Sequence, residues 1–305
     1  MTLDFARVPN LEELILKGCT KLSKIHASLG DLKHLILLDL TNCKNLSSFL
    51  EVICSLTSLK TLTLSGCSKL DNMPDNLGNL EGLEELDVRG TAIRRAPSSI
   101  FCLKNLKILS FRGCNGLSSK KWSWKKLLNF LLMTKTPNLM GLVLPSVSGL
   151  CSLTRLNIRN CNLQAIPSDI GCLSSLEELD LSENNFVCLP ENISQLSYLK
   201  SFWVEKCKSL QLLPELWACI VVADGCTSLE TLLPLKTKDK YYDNYFYFLN
   251  CFQFDNQGRC DLFTTNLGKY FQVSLSLSLS VFFKDHGWFL CFRNAVIENQ
   301  LKKKD

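Results

Sequence analysis

Apolar residues along most of this chain recur at neither helical nor simple strand spacing, but in a longer unit, L-x-x-L-x-L-x-x-C-x-x-L. Leu11, Leu14, Leu16, Cys19 and Leu22 fit it, as do Leu35, Leu38, Leu40, Cys43 and Leu46. Leu59, Leu62, Leu64, Cys67 and Leu70 form a third copy, and Leu83, Leu86 and Val88 a fourth, with Thr91 in the cysteine slot. Further copies run through Leu106, Leu109, Phe111 and Cys114, and then through Leu153, Leu156, Ile158 and Cys161. Leu176, Leu179 and Leu181 are followed by Asn184, and Leu199, Phe202 and Val204 by Cys207. A weaker ninth copy is Val221, Ala223, Cys226 and Leu229. Copies begin 24, 24, 24 and 23 residues apart over the first five.

The centre of each copy alternates apolar and polar residues, the period of a short strand. One such strand cannot hide its leucines alone, so successive copies must stack and share a core. The fold expected is an α/β leucine-rich-repeat solenoid, a right-handed superhelix with parallel strands lining a concave face. About nine repeats occupy residues 1–232, with an irregular insertion at 118–149, and a short, partly β region follows at 233–305. The cysteine slot lies where the chain leaves the strand, and a small polar side chain there can bond buried backbone groups. Cys19, Cys43, Cys67, Cys114, Cys161, Asn184, Cys207 and Cys226 are therefore expected to form a structural ladder. Cys54, Cys102 and Cys172 fall on the return path and are expected to pack as small hydrophobes. Apolar-proline steps at Met73-Pro74, Ala96-Pro97, Ile166-Pro167, Leu189-Pro190 and Leu213-Pro214 mark an extended or short helical return.

Stacking also sets the strand residues between the leucines side by side on the concave face, the expected partner-binding surface. Glu85, Asp87 and Arg89 come from the fourth copy, Arg112 from the fifth, and Arg155 and Arg159 from the sixth. Glu178, Asp180 and Glu183 follow, then Trp203 and Glu205 beside Lys206. The expectation is a basic column of Arg89, Arg112 and Arg159, flanked by an acidic patch and an exposed tryptophan. Arginine and tryptophan are enriched at binding hot spots, and mixed charge favours selection among partners. The same charges could equally pair with one another on neighbouring coils.

Composition narrows the function classes. Hydrophobic residues make up 46% and charged residues 21%, so a large core is expected. A net charge of +5 spread over 305 residues is no concentrated basic stripe, which speaks against nucleic acid as the partner. The 16 cysteines contain no C-x-x-C pair, and three histidines offer no zinc-ligand constellation, so no metal and no cofactor are expected. Reduced thiols of a cytoplasmic protein fit better than disulfides. The start, Met1 to Asn10, carries charge and lacks the apolar run of a signal peptide. No apolar stretch is long enough to span a membrane. Serine, histidine and acidic residues sit scattered in repeat slots, so no catalytic site is expected.

The insertion carries Lys120-Lys121-Trp122-Ser123-Trp124-Lys125-Lys126 ahead of Leu127 to Met133, and a partial frame at Leu139, Leu142, Leu144 and Val147. It reads as an apolar face packed on the flank of the coils, with a membrane- or partner-touching amphipathic helix as the alternative. The alternation from Ser274 to Leu279 reads as low-complexity sequence.

The rows Val8-Pro9-Asn10-Leu11-Glu12-Glu13-Leu14 and Leu62-Thr63-Leu64-Ser65-Gly66-Cys67-Ser68-Lys69-Leu70 resemble the repeats of plant intracellular immune receptors. Leu176 to Phe186 and Asp224 to Glu230 resemble the same class, which joins a Toll/interleukin-receptor (TIR) domain, a nucleotide-binding (NB) switch and C-terminal leucine-rich repeats (TIR-NB-LRR). Phe248-Leu249-Asn250-Cys251-Phe252 is similar to the opening of the jelly-roll or Ig-like domain that follows those repeats, so 233–305 is expected to hold a truncated form of it. There is no G-x-x-x-x-G-K-[ST] loop, so the nucleotide switch of the family is absent from this sequence. The resemblance implies recognition of a pathogen effector or a guarded host protein, a part in autoinhibition, and contact with the NB and TIR domains of a full-length receptor. It implies the cytoplasm, with the nucleus as a second compartment. A free-standing intracellular repeat scaffold without an immune role is the alternative.

Overall fold

The computed structural model describes residues 4–47, 51–114, 142, 144, 146–218, 220–232, 235–236, 245–248, 251, 277–284 and 287–294. The insertion's basic-aromatic lead and apolar run lie outside them. Two compact units emerge, Met1–Leu153 with Asn160–Gln164, and Thr154–Arg159 with Ala165–Asp305.

In the first unit, strands β1 (Glu13–Ile15), β2 (Leu37–Asp39), β3 (Thr61–Thr63), β4 (Glu85–Asp87) and β5 (Ile108–Ser110) pair in sequence, all parallel. Their register matches the repeat, Leu38 opposite Leu62 and Leu62 opposite Leu86. The frame leucines from Leu35 to Leu106 have essentially no exposed surface. Leu11, Leu14 and Leu16 are only half-buried, because no described coil lies on their outer side. These side chains are hidden by the next copy and not by their own, as a shared core requires.

The second unit repeats the arrangement with β6 (Arg155–Asn157), β7 (Glu178–Asp180), β8 (Ser201–Trp203) and β11 (Ile220–Val222). Two short parallel pairs flank this sheet, β9 (Leu212–Leu213) with β12 (Thr231–Leu232), and β10 (Leu216–Trp217) with β13 (Leu235–Lys236). Beyond β11, the strand β14 (Tyr245–Tyr247) also pairs in parallel. An antiparallel hairpin of β15 (Leu277–Lys284) and β16 (Gly287–Asn294) then joins β14 through β16, and the Ser-Leu alternation enters it.

The ladder expected from the cysteine slots is formed by hydrogen bonds between coils. Each thiol donates to the carbonyl of the last frame residue of the preceding coil: Cys43 to Leu16 at 3.1 Å, Cys67 to Leu40 at 3.1 Å, and Cys114 to Val88 at 3.2 Å. Cys161 donates to Phe111 at 3.0 Å, and Asn184 to Ile158 at 2.9 Å. Cys207 reaches Leu181 at 3.4 Å and Cys226 reaches Val204 at 2.9 Å. Without these donors, carbonyls sealed under the next coil would lie buried and unpaired. Burial in turn pushes the Cys67 thiol up to about 12 and that of Cys114 to about 11, so both remain protonated donors. Thr91 donates its hydroxyl to Val88 of its own coil at 2.8 Å and meets the Cys114 thiol of the next coil at 3.2 Å.

Three expectations need correction. Cys19 is exposed and holds no rung, since no described coil precedes it. Cys54 is buried on the return path as expected, but Cys102 and Cys172 are exposed, at the ends of the 3-10 helices Ser98–Cys102 and Ser168–Cys172. The ladder also passes the expected boundary at residue 232: Cys251 donates to Ala223 at 2.7 Å, and Phe248 is buried like the last frame residue of any coil. Phe248 and Cys251 thus take the frame and ladder positions of one further coil.

The residue before each ladder slot from Cys19 to Cys226 has a left-handed backbone. Gly18, Gly66, Gly90, Gly113 and Gly225 fill it, with φ between 65° and 76°. Asn42 and Asn160 also take it, as do Glu183 and Lys206, where a side chain is strained. The proline steps start the return: 3-10 helices begin directly after Pro97, Pro167 and Pro190, whose fixed φ sets the entry angle.

Replacing Cys67 by Ala should destabilise the chain by about 1–3 kcal/mol, because the Leu40 carbonyl loses its donor under a sealed coil. Cys67→Asn should cost less than about 1 kcal/mol, since Asn184 already serves the same slot. Urea denaturation compares the two, and equal losses for both variants would contradict the role given to the ladder.

Candidate functional site: the exposed face of the strands

Side chains between the frame leucines lie on the solvent side of each sheet, and the structure sorts them into three groups. The first serves the backbone. Asp87 Oδ1 accepts the Arg89 N–H at 3.1 Å, Asn157 Oδ1 that of Arg159 at 3.1 Å, and Asp180 Oδ1 that of Ser182 at 3.0 Å. Asp39 does the same for Thr41. Each carboxylate or amide closes a local turn as the chain leaves the strand. Asp87 is only 5% exposed and also meets the Arg89 guanidinium at 2.7 Å, so it is an anchor for Arg89 and not an open contact point.

The second group consists of ion pairs between coils. Arg155 lies 3.3 Å from Glu178 on the adjacent strand. Arg159 donates to Glu183 at 2.8 Å and to Glu205 at 2.7 Å, spanning three successive coils with its side chain only 20% exposed. Lys206 stands 3.6 Å from the same Glu183 oxygen. The hydrogen bond from Arg159 holds the Glu183 carboxyl below its usual range, against the opposing effect of partial burial. A second charge ladder runs along the lead-in to the strands, where Glu84 sits between Lys107 at 2.6 Å and Lys60 at 3.5 Å. Lys200 and Glu177 repeat it at 2.8 Å in the other unit.

The third group remains open to solvent. Arg112 is exposed and, among the described residues, has no ion-pair partner. Glu85 and Trp203 are half-buried. Arg89 and Arg112 are neighbours on adjacent coils of the first unit, where Gly90 N–H bonds the Arg112 carbonyl. Arg159 belongs to the second unit and is enclosed by acids, so the three arginines do not make one free basic column. The acidic patch expected beside them is the set of carboxylates that neutralises Arg155 and Arg159.

Sequence reasoning missed an apolar row. Trp203, Val222 and Tyr247 lie in register on β8, β11 and β14, at the strand position that Asp87, Asn157 and Asp180 use for capping in other coils. Val222 was readable from the ninth frame, but Tyr247 was not, because its coil lies beyond the last copy the pattern resolves. Among the described residues, no group of three metal-ligating side chains forms and no helix is long and apolar enough to cross a membrane.

Stacked parallel strands, a shared leucine core and a bonded ladder define a leucine-rich-repeat protein. The family description "Leucine-rich repeat region" matches residues 14–121, and "Leucine Rich Repeat" matches 152–173 and 175–196. Within that class the chain matches the leucine-rich-repeat part of plant TIR-NB-LRR disease resistance proteins. It is 37% identical to TMV resistance protein N of Nicotiana glutinosa, over 70% of this chain and 23% of that protein. It is 34% identical to disease resistance protein RPP2B of Arabidopsis thaliana, over 84% of this chain and 22% of that one. Disease resistance-like protein DSC1 of Arabidopsis thaliana is 33% identical, over 83% of this chain and 19% of its own length. The chain thus spans about a fifth of the length of these curated relatives. Among solved structures, the leucine-rich repeat domain of the type III effector XopL aligns with a TM-score of 0.47 at 24% identity, covering 62% of this chain and 60% of that one. The functional domain of InlJ from Listeria monocytogenes aligns at 0.41 and 14%, covering 78% and 62%.

The Arg159 cluster sets a pH dependence. Glu183 titrates lower when folded, so its contribution is complete above the unfolded value near 4.5 and fades as pH falls through the lower folded one. Arg159→Gln should lower stability by about 1–2 kcal/mol at neutral pH, a figure discounted for the partial exposure of the carboxylates. The gap in Tm between the two proteins should narrow below about pH 4. A gap that stays constant from pH 7 to pH 3 would remove the clasp from the stability of these coils.

Proposed function

We propose that the chain is the protein-recognition module of a plant innate-immune receptor, acting by binding and not by catalysis. The observation that carries this reading is the contrast between the two sides of each strand. Inward positions repeat from coil to coil, whereas the outward position at the end of each strand runs Ile15, Asp39, Thr63, Asp87 and Ser110 in the first unit. In the second unit it runs Asn157, Asp180, Trp203, Val222 and Tyr247. A scaffold held by repeated leucines can vary these side chains at little cost to folding, which suits a surface specialised for one partner. Kinship with disease resistance proteins supplies the biological setting.

On this reading the ligand is a pathogen effector or a guarded host protein. The same surfaces help hold a full-length receptor at rest through its NB and TIR domains, in the cytoplasm or the nucleus. Ligand binding releases that state by favouring one of two conformations, through contacts that differ between them. The test is a comparison of faces, with proteins co-purifying from leaf tissue as the readout. Alanine at Arg112, Glu178 and Trp203 should weaken the specific partner about 30-fold or more in combination. Alanine at Val187 and Tyr198, exposed outside the strands, should leave it unchanged. Partner recovery that is indifferent to the strand variants would reject the assignment of this face.

A further inference from the structure

We infer that the edge of the first unit where the chain leaves its strands takes an acidic segment of a partner protein, rich in aspartate or glutamate. This rests on the reading of the chain as a recognition module and names the chemistry of what one of its surfaces binds. The turns concerned are residues 17–22, 41–46, 65–70, 89–93 and 112–114, and the fold lays each beside the next. The Gly18 N–H bonds the Thr41 carbonyl and that of Asn42 bonds Ser65, both at 2.7 Å. Gly66 bonds Arg89 and Gly90 bonds Arg112 in the same way, both at 2.8 Å. Every charged residue in these five turns is a cation: Lys17, Lys21, Lys44, Lys69, Arg89 and Arg112. All six are exposed.

Such a row does nothing for the coils themselves, since like charges on neighbouring strands repel. The opposite edge of the same unit shows what stacking alone selects. Where the chain enters its strands, Lys60, Glu84 and Lys107 alternate in sign and pair at 3.5 and 2.6 Å. At the exit edge, Lys17, Lys21, Lys44 and Arg112 have no ion-pair partner among the described residues. Lys69 donates to the neutral amide of Asn45 at 2.5 Å, and Asn45 donates to the Thr20 carbonyl at 2.6 Å. Three coils thus hold that ammonium in place without discharging it. Asp39 and Asp87, at the strand ends just behind the edge, cap the Thr41 and Arg89 N–H groups, and Asp87 also meets the Arg89 guanidinium. Counting both, they offset two of the six positive charges.

The surrounding sequence brings little counter-charge. Past the third turn, Asp71 starts the return path, its carboxylate bonded by the Asn72 amide. From Val88 to Ser168 the chain has no aspartate or glutamate but 13 lysines and arginines, so the overall charge of +5 conceals a strongly basic middle. In the second unit the corresponding edge is mixed and closed on itself, with Arg159 and Lys206 set against Glu183 and Glu205. An acidic segment laid along the first unit's edge relieves the repulsion between coils and meets several cations at once, and that complementarity selects it over basic or neutral segments. Single-stranded nucleic acid fits less well, because none of these turns carries an aromatic side chain on which bases stack.

Fluorescence anisotropy on the full chain tests this with three synthetic peptides of equal length, alternating serine with aspartate, with lysine or with glycine. The aspartate peptide should bind about tenfold tighter than the other two, or more, with affinity falling as salt rises. Lys17→Glu, Lys44→Glu and Arg112→Glu together should weaken it about tenfold or more. The same charge change at Lys33, Lys60 and Lys104, exposed away from the exit turns, should alter it by less than about threefold. Melting curves confirm that both triple variants fold. Equal affinity for all three peptides, equal losses in the two triple variants, no binding at all, or tighter binding of a short DNA strand or duplex than of the aspartate peptide would each overturn the inference. A chain that recovers its leaf partner yet ignores the aspartate peptide would lose this inference alone, so the charge class fails separately from the proposed function.

Discussion

Everything in this fold depends on burial that one coil cannot supply for itself. When a coil lands on its neighbour, it covers the frame leucines and also the carbonyl at the end of each short strand. The leucines gain from leaving water, while the carbonyl loses its solvent partner and must find another. One position of the repeat resolves the conflict, because a thiol or amide there reaches back to that carbonyl. Cysteine suits the slot by being small, mostly apolar and still a weak donor. Asn184 meets the same need more strongly, bonding both Ile158 and Leu181. The ladder and the core are thus two results of one stacking event, and the exposed face is what remains once both are satisfied.

That division explains how the face can carry recognition without endangering the scaffold. The residues it presents are fixed by short strands whose register is set from the opposite side. Part of the face is nevertheless committed to structure. Asp87 and Asp180 serve the backbone, and Arg159 ties three coils together, so neither hydrophilicity nor charge alone marks a contact residue. Arg112, by contrast, has no ion-pair partner among the described residues.

The leucine spacing made the architecture readable from sequence, because every inward position is used the same way in each coil. The ladder was readable for the same reason up to Cys226. Cys251 escaped because its coil replaces the frame leucines with Phe246 and Phe248, and its strand lies among aromatics instead of Leu-x-Leu. Charge pairing was harder to read. Arg89, Arg112 and Arg159 occupy the same frame position, yet one folds onto its own Asp87, one stands open, and one lies between acids on the next two coils. That outcome depends on which residues the following copies place within reach. The turn position before each ladder residue carried a signal too, since Gly66, Gly90 and Gly113 recur there, and it exposes Glu183 and Lys206 as departures.

Hydrogen–deuterium exchange on the full chain, read by mass spectrometry, tests the stacking claim most directly. Peptides covering the strands from β2 to β8 should exchange slowly, because the amides leaving each strand bond carbonyls of the next coil, as Leu40 bonds Thr63 and Val204 bonds Val222. The half-buried outer coil around Leu11 to Leu22 should exchange markedly faster. Fast, uniform exchange across all the strand peptides would mean that the coils do not seal one another, and the account would be wrong at its base.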